Sequence, residues 1–179
     1  IHDEDPDADF KSDGSPVTEA DRAAEAIILP ALAQLAPDIV VISEENDNSH
    51  SLKAPHRYFL VDPLDGTKEF LKRDGKGNFT VNIALIENRV PIMGIVYAPA
   101  LDRLFVGIDG KGATEKSADT STTLSIRIPP ASGALAVASA SHRDDATNKW
   151  LANHDIANTV SIGSSLKFCL VAAGEADVY

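Results

Sequence analysis

Val61-Asp62-Pro63-Leu64-Asp65-Gly66-Thr67-Lys68-Glu69-Phe70 is the stretch whose reading decides the fold. It continues an apolar run, Tyr58-Phe59-Leu60-Val61, that reads as a buried strand. Pro63 fixes its own φ and biases Asp62 toward extended backbone, so the strand is expected to stop here. Gly66 allows a tight turn, and Thr67 starts a helix whose first turn is Thr67-Lys68-Glu69-Phe70-Leu71. Two carboxylates closing a strand, set against a helix start with N–H groups to offer, suit a divalent cation and a phosphate together. A D-x-x-D in a turn is by itself usually a pair of solvated aspartates, since turns are rich in Asp, Pro and Gly. The neighbouring segments decide between the two.

Upstream, Thr18-Glu19-Ala20-Asp21 opens a helix: Thr18 is a good N-cap, and an acidic residue three positions later resembles a capping box. Apolar Ala20, Ala23, Ala24, Ile27, Ile28, Ala31, Leu32 and Leu35 give it one buried face, and Pro30 is expected to kink or split it. Alone, Asp21 is first-turn capping chemistry. Ile39-Val40-Val41-Ile42-Ser43 reads as a central strand ending in Glu44-Glu45, and 46–57 as a polar loop. Downstream, Phe79 to Ile86, Val90 to Tyr97 and Arg103 to Ile108 form an antiparallel meander. Gly110-Lys111-Gly112 is a hairpin turn rather than a phosphate loop, because no helix follows it, and Leu124 to Ile128 is a further strand.

Pro129-Pro130-Ala131-Ser132-Gly133 marks a domain boundary. Beyond it come a strand at Leu135 to Ser139 and a helix from Asp144 to His154 with Trp150 and Leu151 on its inner face. A strand at Asn158 to Ile162 and a helix capped by Gly163-Ser164-Ser165 follow, then the start of another strand at Ala176 to Tyr179. His142 reads as a surface loop residue. The Gly163–Lys167 junction reads either as an ordinary helix cap with a solvated lysine or as a phosphate site built from free N–H groups and Lys167.

Composition narrows the class. The chain has 179 residues, 44% hydrophobic and 24% charged, an ordinary globular balance with enough length for one or two domains. A net charge of −11 argues against a nucleic-acid or anionic-membrane surface, though not against a phosphate ligand, since a bound metal inverts the local field. The single cysteine, Cys169, excludes an internal disulfide and fits a reducing compartment. No signal peptide and no membrane-spanning apolar run is evident in the sequence.

The Val61–Phe70 stretch resembles the signature of the magnesium-dependent, lithium-sensitive phosphatase superfamily of inositol monophosphatases, fructose bisphosphatases and 3'(2'),5'-bisphosphate nucleotidases. Ser15-Pro16-Val17-Thr18-x-x-Asp21 resembles its first motif. Lys68-Glu69-Phe70 and Ser161-Ile162-Gly163-Ser164-Ser165-Leu166-Lys167-Phe168-Cys169 look closest to the CysQ-type nucleotidase branch. The resemblance implies a mixed α/β, layered α-β-α-β-α sugar-phosphatase fold with its second β layer incomplete. It would divide into an N-terminal metal-binding domain over 1–129 and the start of a substrate-binding domain over 130–179. It implies two or three Mg²⁺ ions held by Glu44, Asp62, Asp65 and the Leu64 carbonyl. Thr67 would hold the attacking water with Asp21 behind it. Leu64, Asp65, Gly66 and Thr67 would surround the scissile phosphate, with His142, Ser164 and Lys167 facing the nucleotide.

The implied reaction is hydrolysis of adenosine 3',5'-bisphosphate to AMP and phosphate, in sulfate assimilation, by a cytoplasmic enzyme. Homodimer formation and peripheral association with the cytoplasmic face of the inner membrane stay open. The alternatives are an inositol or sugar phosphate monoesterase, or an impaired fragment that only binds metal or nucleotide. The last arises because relatives carry a helix before position 1 and, after position 179, an arginine and a Trp-Asp-x-Ala-Ala-Gly metal-ligand segment. Trp150, the only tryptophan, is followed by Leu151 instead. Truncation at both ends is therefore the expectation, with an apolar sheet edge exposed by it.

Overall fold

A computed structural model describes residues 8–10, 16–51, 53–72, 77–118, 120–139 and 143–179. His142, Ser15 and the loop positions 73–76 lie outside them. A short antiparallel ribbon, β1 (Ala8–Phe10) with β2 (Pro16–Thr18), leads into α1 (Glu19–Leu35). Thr18 caps α1 as the sequence suggests: its hydroxyl accepts from the Ala20 N–H at 3.1 Å, and Asp21 reaches back to the Thr18 N–H at 2.7 Å. Pro30 neither splits nor ends this helix. It sits on the exposed face, where water reaches the carbonyl it leaves unpaired. The opposite face is anchored by Leu32, with Ile28, against Phe59 and Val61.

The main sheet runs β3 (Val40–Ser43), β4 (Arg57–Asp65), β5 (Thr80–Glu87), β6 (Val90–Ala98), β7 (Arg103–Ile108), β8 (Gly112–Ser117) and β9 (Thr120–Thr123), in that spatial order. Only β3 and β4 are parallel; the rest is the expected antiparallel meander. Two expectations change. β3 is an edge strand rather than a central one, its apolar run being buried on one side by α1. The last strand is the polar Thr120–Thr123, and Leu124–Ile128 is irregular, with Ile126 and Ile128 exposed. An edge strand exposed on both faces carries no hydrophobic alternation to betray it. The loop after β3 also contains one short turn of helix, α2 (Asp47–His50), whose Ser49 hydroxyl accepts from the Ser43 N–H at 3.1 Å.

Between β4 and β5 lies α3 (Thr67–Lys72). The second half comprises β10 (Ala134–Ser139), α4 (Asp145–Ala152), β11 (Ile156–Ile162) and α5 (Leu166–Ala172). β10 and β11 pair in parallel, and Val178 bridges to Ala136, so the final segment begins to pair as expected. α4 buries none of its residues, and Trp150 is 43% exposed with its ring stacked on His154 at 3.8 Å.

Strand alternation sorts the sheet into two faces. Phe59, Val61, Ile83 and Leu85 meet α1 on one. On the other, Phe105 joins Leu166, Cys169 and Leu170 of α5 and Val137 of β10 in one cluster. The order is therefore α1, main sheet, α5, second sheet: a layered mixed α/β fold. Among the described residues no helix is long and apolar enough to cross a membrane.

Candidate active site

The central finding is a β-bulge. β4 does not stop at Asp62; it continues to Asp65, with Asp62 opposite Asn82 and Asp65 opposite Thr80. Three steps on β4 thus match two on β5. Residues three apart in a regular strand point to opposite faces. The extra residue at Pro63–Leu64 cancels that, and both aspartates come onto the face that carries Thr80 and Asn82. Pro63, which has no N–H to give a ladder, is tolerated because the bulge leaves that position unpaired. Asn82 confirms the shared face: its Nδ2 lies 3.5 Å from Asp62 Oδ2 and 3.5 Å from Asp65 Oδ2.

Gly66 follows at φ +92°, a conformation that L side chains rarely adopt. The Gly66 carbonyl accepts from the Phe70 N–H at 2.9 Å, closing the first turn of α3. Phe70, buried, meets Phe79 edge to face at 5.2 Å and holds α3 down with Ala20 and Leu64. Thr67 Oγ1 then lies 3.3 Å from Asp21 Oδ1 and 3.4 Å from the Leu64 carbonyl. Asp21 is 1% exposed, and its other oxygen takes the Thr18 hydroxyl at 2.6 Å. It caps α1 and touches Thr67 at once.

Burial, and then the charges of Glu44 and Asp65, push the Asp62 carboxyl up to about 7. Its Oδ1 accepts the Leu64 N–H at 3.1 Å. Glu44 is exposed and borders the cleft; among the described residues no three metal-binding side chains converge on one point. Asp62 and Asp65 are brought together, with Glu44 at their margin. The donors fit a hard cation: all are oxygen, and the mutual repulsion that raises Asp62 is what a cation relieves.

Across the cleft stands the β11–α5 junction. Two of its N–H groups are already taken, where the sequence suggested free ones. The Ser165 N–H donates to Asp65 Oδ2, and the Leu166 N–H to Ser164 Oγ at 3.3 Å. Lys167 is not a solvated cap residue either. It is 6% exposed, its ammonium donates to the Ser164 carbonyl and lies 5.1 Å from the Tyr179 ring centre, and burial lowers its pKa. The cleft between the two walls measures about 820 Å³ and is lined by Asp65, Thr67, Arg143, Trp150, Ser164 and Lys167 among others. Sequence reading missed Asn82, Thr80 and Ser165. A signal existed for the first two: Thr80 and Asn82 alternate as polar positions in an otherwise apolar strand, and Asn is disfavoured there.

Comparisons with known proteins identify the family. The inositol monophosphatase family matches residues 2–179. The 3'(2'),5'-bisphosphate nucleotidase CysQ of Salmonella typhimurium is 48% identical over 170 residues, 94% of this chain and 67% of that protein. The solved CysQ of Bacteroides thetaiotaomicron, a bacterial member of the inositol monophosphatase family, is 37% identical with a TM-score of 0.75, covering 97% of this chain and 70% of that one. An IMPase/NADP phosphatase solved with Mg²⁺ and phosphate shares the fold, with a TM-score of 0.74 at 20% identity over 96% of this chain and 64% of its own. With the layered sheet and a match over nearly the whole length, the chain belongs to the inositol monophosphatase family.

Proposed function

We propose that this chain hydrolyses adenosine 3',5'-bisphosphate to AMP and phosphate with Mg²⁺. The observation that carries the reading is the bulge that turns Asp62 and Asp65 onto one face beside Thr67, in a chain 48% identical to a CysQ nucleotidase. Asp62, Asp65, the Leu64 carbonyl and Glu44 would hold two or three ions. Bound there, Mg²⁺ supplies Lewis-acid activation of water and neutralises charge on the leaving oxygen.

The chain's own groups do the rest. Thr67, backed by Asp21, accepts a hydrogen bond from the attacking water. The Gly66-Thr67 backbone receives the scissile phosphate. The water oxygen bonds to phosphorus, the ester P–O bond breaks, and the proton passes to the leaving oxygen. Ser164 and Lys167 face the nucleotide and its second phosphate; His142, proposed for the same role, lies outside the described residues. Residues 1–129 would thus supply the metal-binding carboxylates and 130–179 the nucleotide-facing wall. The substrate is a small molecule and the setting cytoplasmic, as part of the same proposal.

The test is phosphate release from adenosine 3',5'-bisphosphate with and without Mg²⁺, with inositol 1-phosphate alongside. Mg²⁺-dependent release favouring the nucleotide supports the assignment. Release favouring inositol 1-phosphate moves the chain to another branch of the family, and release from neither overturns the reading.

A further inference from the structure

Ser165 binds both walls of the cleft to each other. Its hydroxyl donates to Asn82 Oδ1 at 2.7 Å, and it lies 2.8 Å from Thr80 Oγ1. A serine hydroxyl has a single proton. That proton goes to Asn82, so Thr80 must be the donor in the second bond. The chain of bonds therefore has one direction: Thr80 to Ser165, Ser165 to Asn82 Oδ1. With its oxygen end fixed, the Asn82 amide presents Nδ2 to Asp62 and Asp65. The Ser165 backbone N–H meets Asp65 directly. Thr80 is fully buried, and among the described residues no buried side-chain nitrogen or oxygen lacks a partner.

We propose that Ser165 is a positioning residue that couples the Ser164–Lys167 turn to cation binding by Asp62 and Asp65. It never touches the cation; it fixes the orientation of Asn82 and, through its own N–H, of Asp65. Without the hydroxyl, the Asn82 amide is free to turn its oxygen toward the two carboxylates, setting dipole and charge against each other. Outer partners of this kind typically alter metal affinity by about 10–100-fold. The inference rests on the functional reading above, since it takes Asp62 and Asp65 as cation ligands.

The experiment titrates Mn²⁺, followed by electron paramagnetic resonance, into wild type, Ser165→Ala, Asn82→Ala and the double variant, all without substrate. Ser165→Ala is expected to weaken Mn²⁺ binding about tenfold, and to lower the metal-free melting temperature as well because the buried Thr80 hydroxyl loses its acceptor. Ser165→Thr, which keeps a hydroxyl, should recover most of the loss. Because Ser165 acts through Asn82, the double variant should bind Mn²⁺ about as weakly as Asn82→Ala alone. Wild-type affinity in Ser165→Ala, or losses that add in the double variant, would overturn the coupling while leaving the phosphatase reading intact. No Mn²⁺ binding by wild type would overturn both. If Ser165→Ala does not fold, Asn82→Ala with unweakened Mn²⁺ binding overturns the relay by itself.

Discussion

Replacing Asp62 with Asn is expected to stabilise the metal-free protein, and to do so more strongly at alkaline than at acid pH. Burial first, then Glu44, then Asp65, lift this carboxyl from 3.8 to about 7 in the folded chain. Unfolding returns it to the ordinary carboxylate range. Between about pH 4 and pH 7 the folded state keeps a proton that the unfolded chain has lost, so stability from this group falls as pH rises through that window and is level above it. At about 1.4 kcal/mol per pH unit, the full cost is about 4 kcal/mol at pH 8 and about 1.5 kcal/mol at pH 5.

Asparagine carries no charge at either pH and still offers an oxygen to the Leu64 N–H, 3.1 Å from Asp62 Oδ1. Its advantage should therefore grow by about 2–3 kcal/mol between pH 5 and pH 8. Urea unfolding followed by circular dichroism, in a chelator at both pH values, measures it. Taking the difference between two pH values cancels any effect of the amide that is independent of charge. Mg²⁺ should narrow the gap at pH 8 without closing it, since a ligand at about a hundred times its Kd stabilises the form that binds it by about 2.7 kcal/mol. An Asn advantage equal at both pH values, or larger at pH 5, would refute the charge-crowding argument.

The other predictions are local. Gly66→Ala should cost about 1–2 kcal/mol for the left-handed backbone alone, with more from a Cβ placed 3.1 Å from the Asn78 carbonyl and 3.2 Å from Ser164 Cβ; a urea midpoint unchanged from wild type would contradict it. Lys167→Ala should reduce turnover of adenosine 3',5'-bisphosphate far more than that of inositol 1-phosphate, and equal losses would remove Lys167 from nucleotide recognition. Trp150, exposed and lining the cleft, gives an aromatic face for a base. Trp150→Ala should raise KM for the nucleotide severalfold with kcat nearly unchanged, stacking being worth about 1–3 kcal/mol per base. Cys169, buried and with its thiol pushed up to about 12, should resist alkylation at pH 8 until the chain unfolds; rapid labelling of native protein would contradict its burial.

Much of the molecule was legible in one dimension, where neighbours in sequence are neighbours in space. Thr18 and Asp21 cap α1 because a capping box spans three residues. The β5–β7 meander follows from apolar runs separated by short turns, and α3 starts at Thr67 because Gly66 permits the turn before it. The resemblance to a phosphatase family rested on the same kind of contiguous signal. What local pattern cannot carry is any choice made by pairing between distant segments. The bulge exists only in the register of β4 against β5, and without it Asp62 and Asp65 would face opposite sides of the sheet. Pro30 stays helical because Leu32 and Ile28 pack on residues near position 60. The N–H of Ser165 binds Asp65 from 100 residues away, which turns an apparently open helix start into a brace for a carboxylate. Chemistry-bearing residue types are written in the chain; which of them share a face, and which hold the others still, is settled by long-range hydrogen bonds and packing.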